Sequence, residues 1–189
     1  MLVVTLAESS SPKERYIMLT RIWALLPAAL LLSSAVLAKP PKTAHADILN
    51  SSGAKIGTAT LKQTKQGVSI KLDATGLPPG THGFHIHAIG KCDPPDFKTA
   101  GGHLNPDGKQ HGKDNPQGPH AGDMLNIEVA ADGSVHTTVL AAGATLGDGP
   151  NSVFHDGGTA LVIHAGTDDY KTDPAGNSGA RIACGVIEK

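Results

Sequence analysis

A polar tract near the middle of the chain limits its possible folds more than any other feature. Residues 101–124 read GGHLNPDGKQHGKDNPQGPHAGDM, where glycine, proline and polar residues leave only Leu104, Ala121 and Met124 as apolar side chains. Such a segment cannot bury enough apolar surface to offset the entropy lost on ordering. The composition therefore predicts either a solvated linker or a loop that is ordered by something other than a hydrophobic core.

The spacing of the polar groups favours an ordered loop. His103, His111, His120 and Asp123 are separated by seven, eight and two residues. Three imidazoles and one carboxylate are a ligand set that suits tetrahedral zinc. Metal binding would supply the ordering free energy that apolar burial cannot. A solvated, histidine-rich loop is the alternative, but it does not explain why such a tract interrupts a small domain.

A second group of histidines lies on segments with the alternation of β-strands. His85 and His87 occur in GFHIH, and alternate residues of a strand share one face. Both imidazoles are therefore predicted on one face, opposite Phe84 and Ile86, which face the core. Two such imidazoles can converge on a transition metal, although the motif alone fits an unrelated pair equally well. His82 has the opposite parity and is placed outside the site.

The last candidate ligand is His164, at the end of TALVIHA. Leu161 and Ile163 of this run are predicted to point inward, which leaves His164 on the other face. The histidines without metal-like neighbours are interpreted as ordinary surface residues, and they are His45, His136 and His155.

The rest of the chain is predicted to be all-β. About eight short runs of strand type are separated by Gly and Pro turn signals, and no helical periodicity is evident. This pattern is typical of an antiparallel sandwich or barrel. Residues 125–131 and 134–142 flank an Asp-Gly turn and are predicted to form a hairpin. Residues 88–124 and 166–179 are too long for hairpin connections, so both are predicted to be functional loops.

Residues 1–38 are predicted to be a secretory signal peptide, with Met18 as the suspected true start. Arg21 precedes an apolar run over 22–32, and AVLA then offers small residues before the cut. A retained membrane anchor is the less favoured alternative, because the run is short and Pro27 interrupts it. The chain is thus expected to be exported, most simply to the periplasm. A mobile Pro/Lys leader over 39–43 and a single domain over 44–189 would follow.

Charge and cysteine content narrow the class of protein further. Removing residues 1–38 takes away three basic and two acidic side chains, so the net charge changes from −1 to about −2. The sequence has no basic patch of the kind that would indicate binding to nucleic acid. Both cysteines, Cys92 and Cys184, belong to the exported part, where oxidising conditions favour a disulfide over two free thiols.

The motifs GFHIH, GGHLN, LVIHAGTDD and GARIACGVI, together with the spacing from His103 to Asp123, closely resemble the copper/zinc superoxide dismutases. They occur in the family's order from Gly83 to the end of the chain. The resemblance implies an eight-stranded antiparallel Greek-key sandwich or barrel. It also implies dismutation of superoxide to oxygen and hydrogen peroxide, with one copper and one zinc ion per subunit. A homodimer would be consistent with the family, but its interface cannot be assigned.

The resemblance also implies a role for each site residue. The implied copper ligands are His85, His87, His103 and His164. The implied zinc ligands are His103, His111, His120 and Asp123, so that His103 bridges the two ions. Asp168 would accept hydrogen bonds from the outer nitrogens of His85 and His111, and Arg181 would attract and orient the anion beside copper. Cys92 and Cys184 match the family's disulfide.

Two segments depart from the commonest form of the family. Residues 88–101 differ in composition, and the loop over 166–179 is short, with Lys171 as its single lysine. The lysines that would steer the substrate are therefore not assigned. The alternative function is an exported copper/zinc-binding or buffering protein on the same fold. The complete ligand set and Arg181 favour the enzyme, because a buffer needs no group that guides an anion.

The predicted cleavage has a spectroscopic consequence. Trp23 is the single tryptophan of the chain and lies inside the predicted signal peptide. The exported protein is therefore expected to show no tryptophan fluorescence. An indole emission band from protein purified after export would place the cleavage site before Trp23 or show that no cleavage occurs.

Overall fold

The computed structural model describes residues 43–189, and within this range almost all regular structure is antiparallel β-sheet. The strands are β1 (Thr43–Asn50), β2 (Lys55–Thr64), β3 (Gly67–Ala74), β4 (Gly80–His82), β5 (Phe84–His87), β6 (Ile127–Val129), β7 (Val135–Ala141), β8 (Ala160–His164) and β9 (Arg181–Val186). A short 3-10 helix occupies Lys98–Ala100. The predicted all-β class is confirmed. No helix in the described range is long and apolar enough to cross a bilayer.

The predictions for the N-terminus concern mainly residues that precede the described range. The signal peptide over 1–38 and residues 39–42 of the leader lie outside the described residues. Thr43, the last residue of the predicted leader, is the first residue of β1.

The strands form two sheets with Greek-key connectivity. The larger sheet has the order β5-β8-β9-β1-β2-β3-β7, and β4 pairs with β6 in a separate two-stranded sheet. The first three strands form a meander, and the last strand returns to lie beside the first. This return beside the first strand is the Greek-key arrangement that the family resemblance implied.

Alternating side chains build the core as the sequence predicts. In β3, Val68, Ile70, Leu72 and Ala74 are buried, while Lys71 is exposed. Burying each valine, leucine or isoleucine contributes roughly 1.5–3 kcal/mol. The apolar alternation therefore fixes which face of each strand packs inward.

One prediction about strand pairing was wrong. The turn after β6 forms, since Ala130 N donates to Ser134 O at 2.8 Å, but β6 pairs with β4 and β7 pairs with β3. The predicted hairpin is therefore absent, because a turn fixes the local path and not the partner strand. Residues 81–89 alternate like one strand, but they divide at Gly83 into β4 and β5. Residues 43–189 therefore contain nine strands where the sequence predicted about eight.

Strands β5 and β8 are buried on both faces. Phe84, Ile86, Leu161 and Ile163 join the main core. On the opposite face a small second core packs beneath the loop that follows β5, and its members are Phe97, Ala100, Ala160, Val162 and Cys184. The predicted disulfide is confirmed and joins Cys92 of this loop to Cys184 of β9. The loop is therefore fixed against the strands that carry His85, His87 and His164.

Candidate metal centre

Backbone pairing brings the predicted ligands together before any side-chain contact is considered. Isolated bridges pair His85 with Asp123 and His87 with His103. Ile86 N also donates to Gly122 O at 2.9 Å. Both ends of the polar tract thus dock on β5 as short strand-like segments. The tract is an ordered loop and not a linker.

Four imidazoles meet at the first cluster. His85, His87, His103 and His164 each offer one nitrogen within 4.8 Å of the others, and all four side chains are buried. His87 Nδ1 lies 2.9 Å from Gly101 O, and His164 Nδ1 lies 3.3 Å from Gly179 O. Because a carbonyl oxygen only accepts hydrogen bonds, Nδ1 carries the proton in both rings. Nε2 of each ring therefore has a lone pair that can bind a metal ion. The two Nε2 atoms lie 3.4 Å apart.

A second cluster adjoins the first and shares His103. Its other members are His111, His120 and Asp123, and their ligand atoms also lie within 4.8 Å of one another. Asp123 Oδ1 contacts Nδ1 of His103 at 2.8 Å, of His111 at 3.0 Å and of His120 at 3.3 Å. The second carboxylate oxygen accepts from the amides of Gly112 and His120, each at 2.9 Å. Three Nδ1 atoms and one carboxylate oxygen therefore converge on one point.

Two buried nitrogens indicate that a metal ion fits the first cluster. His85 Nδ1 and His103 Nε2 are shielded from solvent and have no hydrogen-bond partner. Leaving a buried polar atom unsatisfied costs roughly 1–3 kcal/mol. Both atoms belong to the first cluster, where an ion would satisfy them. The imidazole set suits copper and the mixed set with a carboxylate suits zinc.

The Asp168 carboxylate connects the two clusters. Its Oδ2 lies 2.8 Å from His85 Nε2, and its Oδ1 lies 2.9 Å from His111 Nε2. Burial opposes ionisation of this group, but the hydrogen bonds from His111 and His85 outweigh burial and hold the pKa of Asp168 below its usual range. The contacts match those that the family resemblance implied.

Burial keeps most of the histidines neutral and therefore able to bind a metal. Desolvation lowers the pKa of His103 and of His164 to about 4. The same cause lowers the pKa of His85, and that of His87 falls further. Burial disfavours the charge on Asp123, yet hydrogen bonds from three histidines hold its pKa far below the usual range. Neutral imidazoles beside a charged carboxylate are the protonation states that a cation requires.

His111 is the exception among the ligand candidates. Burial lowers its pKa, but hydrogen bonds to Asp123 and Asp168 dominate and raise it to about 9. Both ring nitrogens face carboxylates, so the ring donates from both sides as an imidazolium. A metal ion at Nδ1 must displace that proton.

Arg181 lies at the first cluster, where the family resemblance placed it. It pairs with His164 across β8 and β9. Its Nη1 donates to Phe97 O at 2.7 Å and its Nη2 donates to Gly101 O at 2.6 Å. The guanidinium lines a cavity of about 310 Å³ together with His87, His103 and His164. An anion that enters this cavity meets a positive charge beside three imidazoles.

Two histidines outside the clusters, His82 and His155, are wholly or partly buried. His82 lies outside both clusters, as expected, but it is buried and its ring nitrogens lie 2.8 Å from His164 O and from Pro78 O. It therefore supports the backbone of a candidate ligand, which no sequence signal revealed. His45 and His136 are exposed, as predicted. The surface assignment of His155 was wrong, because its ring is partly buried and its Nε2 is shielded without a partner.

The fold and the site define an antiparallel β-protein with two adjoining clusters of side chains that could each hold a metal ion, and the clusters share one histidine. Residues 55–187 match the sequence profile of the family described as copper/zinc superoxide dismutase (SODC). The chain therefore belongs to the copper/zinc superoxide dismutase family. Copper and zinc as cofactors, superoxide as substrate and the oxidoreductase class follow from this membership.

Individual relatives agree with the family assignment. Two copper/zinc superoxide dismutases of Aquifex aeolicus are 61% and 56% identical, over 76% and 86% of this chain and 86% and 96% of theirs. A superoxide dismutase-like protein from Bacillus subtilis superposes with a TM-score of 0.73 at 43% identity, covering 75% of this chain and 96% of that one. The copper/zinc superoxide dismutase from Brucella abortus gives a TM-score of 0.63 at 31% identity, covering 77% and 99%.

The pKa of His111 predicts how zinc binding depends on pH. Since the pKa is raised to about 9, this ring stabilises the metal-free fold below its ordinary value near 6.5, and that contribution is lost as the pH rises through 9. Zinc affinity should change in the opposite sense, rising about tenfold per pH unit up to roughly pH 9, because one proton is displaced. Competition against a chelator of known pH dependence measures this slope.

Asp168→Asn is the matched control for this slope. It removes one of the two carboxylates that raise the pKa of His111. The pH at which the zinc affinity stops rising should therefore be lower in this variant. A zinc affinity that is flat between about pH 7 and pH 9 would contradict the assignment of His111 as a ligand that must lose a proton.

Proposed function

We propose that this chain dismutes superoxide with copper held by the first cluster and zinc held by the second. The copper ligands would be His85, His87, His103 and His164, and the zinc ligands His103, His111, His120 and Asp123. The observation that carries the proposal is His103, which belongs to both clusters and presents Nδ1 to Asp123 while its buried Nε2 has no partner.

Copper, when bound, supplies one-electron chemistry through its two accessible oxidation states, whereas zinc supplies a fixed charge without redox activity. The chain's own residues orient these ions. Asp168 fixes His85 and His111 through their outer nitrogens, and the carbonyls of Gly101 and Gly179 fix His87 and His164. Partners of this kind set ring orientation and raise ligand basicity.

Arg181 binds and orients the substrate in this proposal. Its guanidinium is anchored by two carbonyl oxygens and lines the cavity that reaches the first cluster. A small anion is attracted to such a charge, and an open cleft concentrates the effect. The exported chain carries a slight net negative charge, so this attraction must be local.

His103 is placed to hold a proton during the reaction. Its buried Nε2 has no hydrogen-bond partner, and burial lowers the pKa of the ring to about 4 in the metal-free protein. A proton taken up at Nε2 stands beside the cavity through which the substrate enters. His103 can therefore donate this proton as peroxide forms.

We further propose that the protein acts outside the cytoplasm, after removal of residues 1–38, with residues 44–189 as the catalytic domain. The disulfide between Cys92 and Cys184 supports an oxidising compartment such as the periplasm. A homodimer is part of this proposal by family resemblance.

Metal titration under anaerobic conditions, followed by an activity assay, tests the function. The exported protein should bind one copper and one zinc per chain and then consume superoxide. Tight binding of copper without dismutation would favour the alternative of a copper-buffering protein. Failure to bind zinc would contradict the second cluster.

Removing the charge of Arg181 should slow the enzyme without emptying its metal sites. Arg181→Gln is expected to lower kcat/KM about tenfold at low ionic strength, because the charge at the cavity no longer attracts the anion. Lys65→Gln is the matched control, since Lys65 is exposed in the turn after β2. Equal kinetics of the two variants across a salt series would refute the role of Arg181.

A further inference from the structure

The loop that follows β8 packs against the polar tract, and this contact between residues 112–115 and 170–171 is called the seam. Asp114 N donates to Tyr170 O at 3.0 Å, and Asn115 Nδ2 donates to Lys171 O at 3.2 Å. Gly112 has a φ of +99°, and a Cβ there would overlap Tyr170 O. The two segments therefore touch backbone to backbone along this seam, so a shift of one segment moves the other.

Asp173 brings a carboxylate to this seam beside two candidate zinc ligands. Its Oδ1 accepts a hydrogen bond from His111 N at 2.6 Å. The same oxygen lies 3.6 Å from His120 Nε2, which also faces Lys109 O at 3.1 Å. A hydrogen bond to an ionised acceptor is roughly twice as strong as a neutral one. Asp173 therefore fixes the backbone at one ligand and adjoins the outer nitrogen of another.

The same carboxylate faces the route by which substrate reaches the first cluster. Asp173 lines the cavity that contains Arg181, Lys109 and His120, and its side chain is 48% exposed. Arg181 attracts an anion into this cavity, whereas Asp173 repels it. Within a Debye length of about 10 Å at 0.1 M salt, both charges act on the entering anion.

We propose that Asp173 is a positioning residue for the zinc ligands His111 and His120, and that its charge slows the entry of superoxide. This inference rests on the proposed function, because it takes zinc at the second cluster and an anionic substrate as given. The carboxylate holds the ligand loop more firmly than a neutral amide would, at the cost of repulsion at the cavity.

Two substitutions separate the hydrogen bond from the charge. Asp173→Asn keeps an oxygen that can accept from His111 N but removes the charge. Asp173→Ala removes both. Asp107→Asn is the matched control, because Asp107 is an exposed aspartate of the same tract that does not line the cavity.

Zinc affinity of the metal-free protein, measured by chelator competition, tests the positioning role. Asp173→Ala should bind zinc about tenfold more weakly, as is typical when a partner of a metal ligand is lost. Asp173→Asn should recover most of this loss, and Asp107→Asn should bind zinc like the wild type. Wild-type affinity in Asp173→Ala would overturn the positioning role.

Steady-state kinetics of the metal-loaded protein test the charge. Asp173→Asn should raise kcat/KM on the order of twofold at low ionic strength, and the gain should vanish at high salt. Asp107→Asn should show no such gain. An unchanged or lower kcat/KM in Asp173→Asn would overturn the repulsive role. If the wild-type protein binds zinc but does not dismute superoxide, the proposed function is contradicted. The zinc affinities of the Asp173 variants would still decide the positioning role.

Discussion

The buried carboxylate of Asp168 holds the two clusters of candidate metal ligands in one arrangement. It is 1% exposed and contacts one imidazole of each cluster, His85 of β5 and His111 of the polar tract. The Asn126 side chain fixes the backbone of Asp168 through two hydrogen bonds. Asn126 Nδ2 donates to Asp168 O at 2.9 Å, and Asp168 N donates to Asn126 Oδ1 at 3.0 Å. An unpaired carboxylate in this position would cost several kcal/mol. The strand, the tract and the loop after β8 therefore depend on one another through this group.

Polar contacts replace apolar burial where the chain has few apolar residues. The polar tract docks on β5 by backbone pairing and closes on Asp123, while the segment after β5 is held by the disulfide and by the small core around Phe97. Gly101 O accepts from both His87 Nδ1 and Arg181 Nη2. The carbonyl that orients a candidate copper ligand is thus the same one that orients the arginine proposed to bind the substrate.

Much of the site could be predicted from the sequence, because ligand chemistry and strand parity are local properties. The spacing of His103, His111, His120 and Asp123 indicated one ion, and alternation put His85 and His87 on one face. Their division between copper and zinc came from family resemblance. The supporting contacts could not be predicted. Backbone carbonyls such as Gly101 O leave no trace in the residue letters.

The sequence by itself determined the all-β class, the inward faces of the strands and the residue types of two candidate metal sites, because these depend on alternation and on side-chain chemistry. Only the tertiary structure decided which strands pair. The turn between β6 and β7 forms, yet β6 pairs with β4 and not with β7. The tertiary structure also decided that His82 supports the carbonyl of His164 and that Asp173 reaches the amide of His111. These contacts join residues 62 to 82 positions apart. They are set by how loops pack against the completed sheet, which no local pattern encodes.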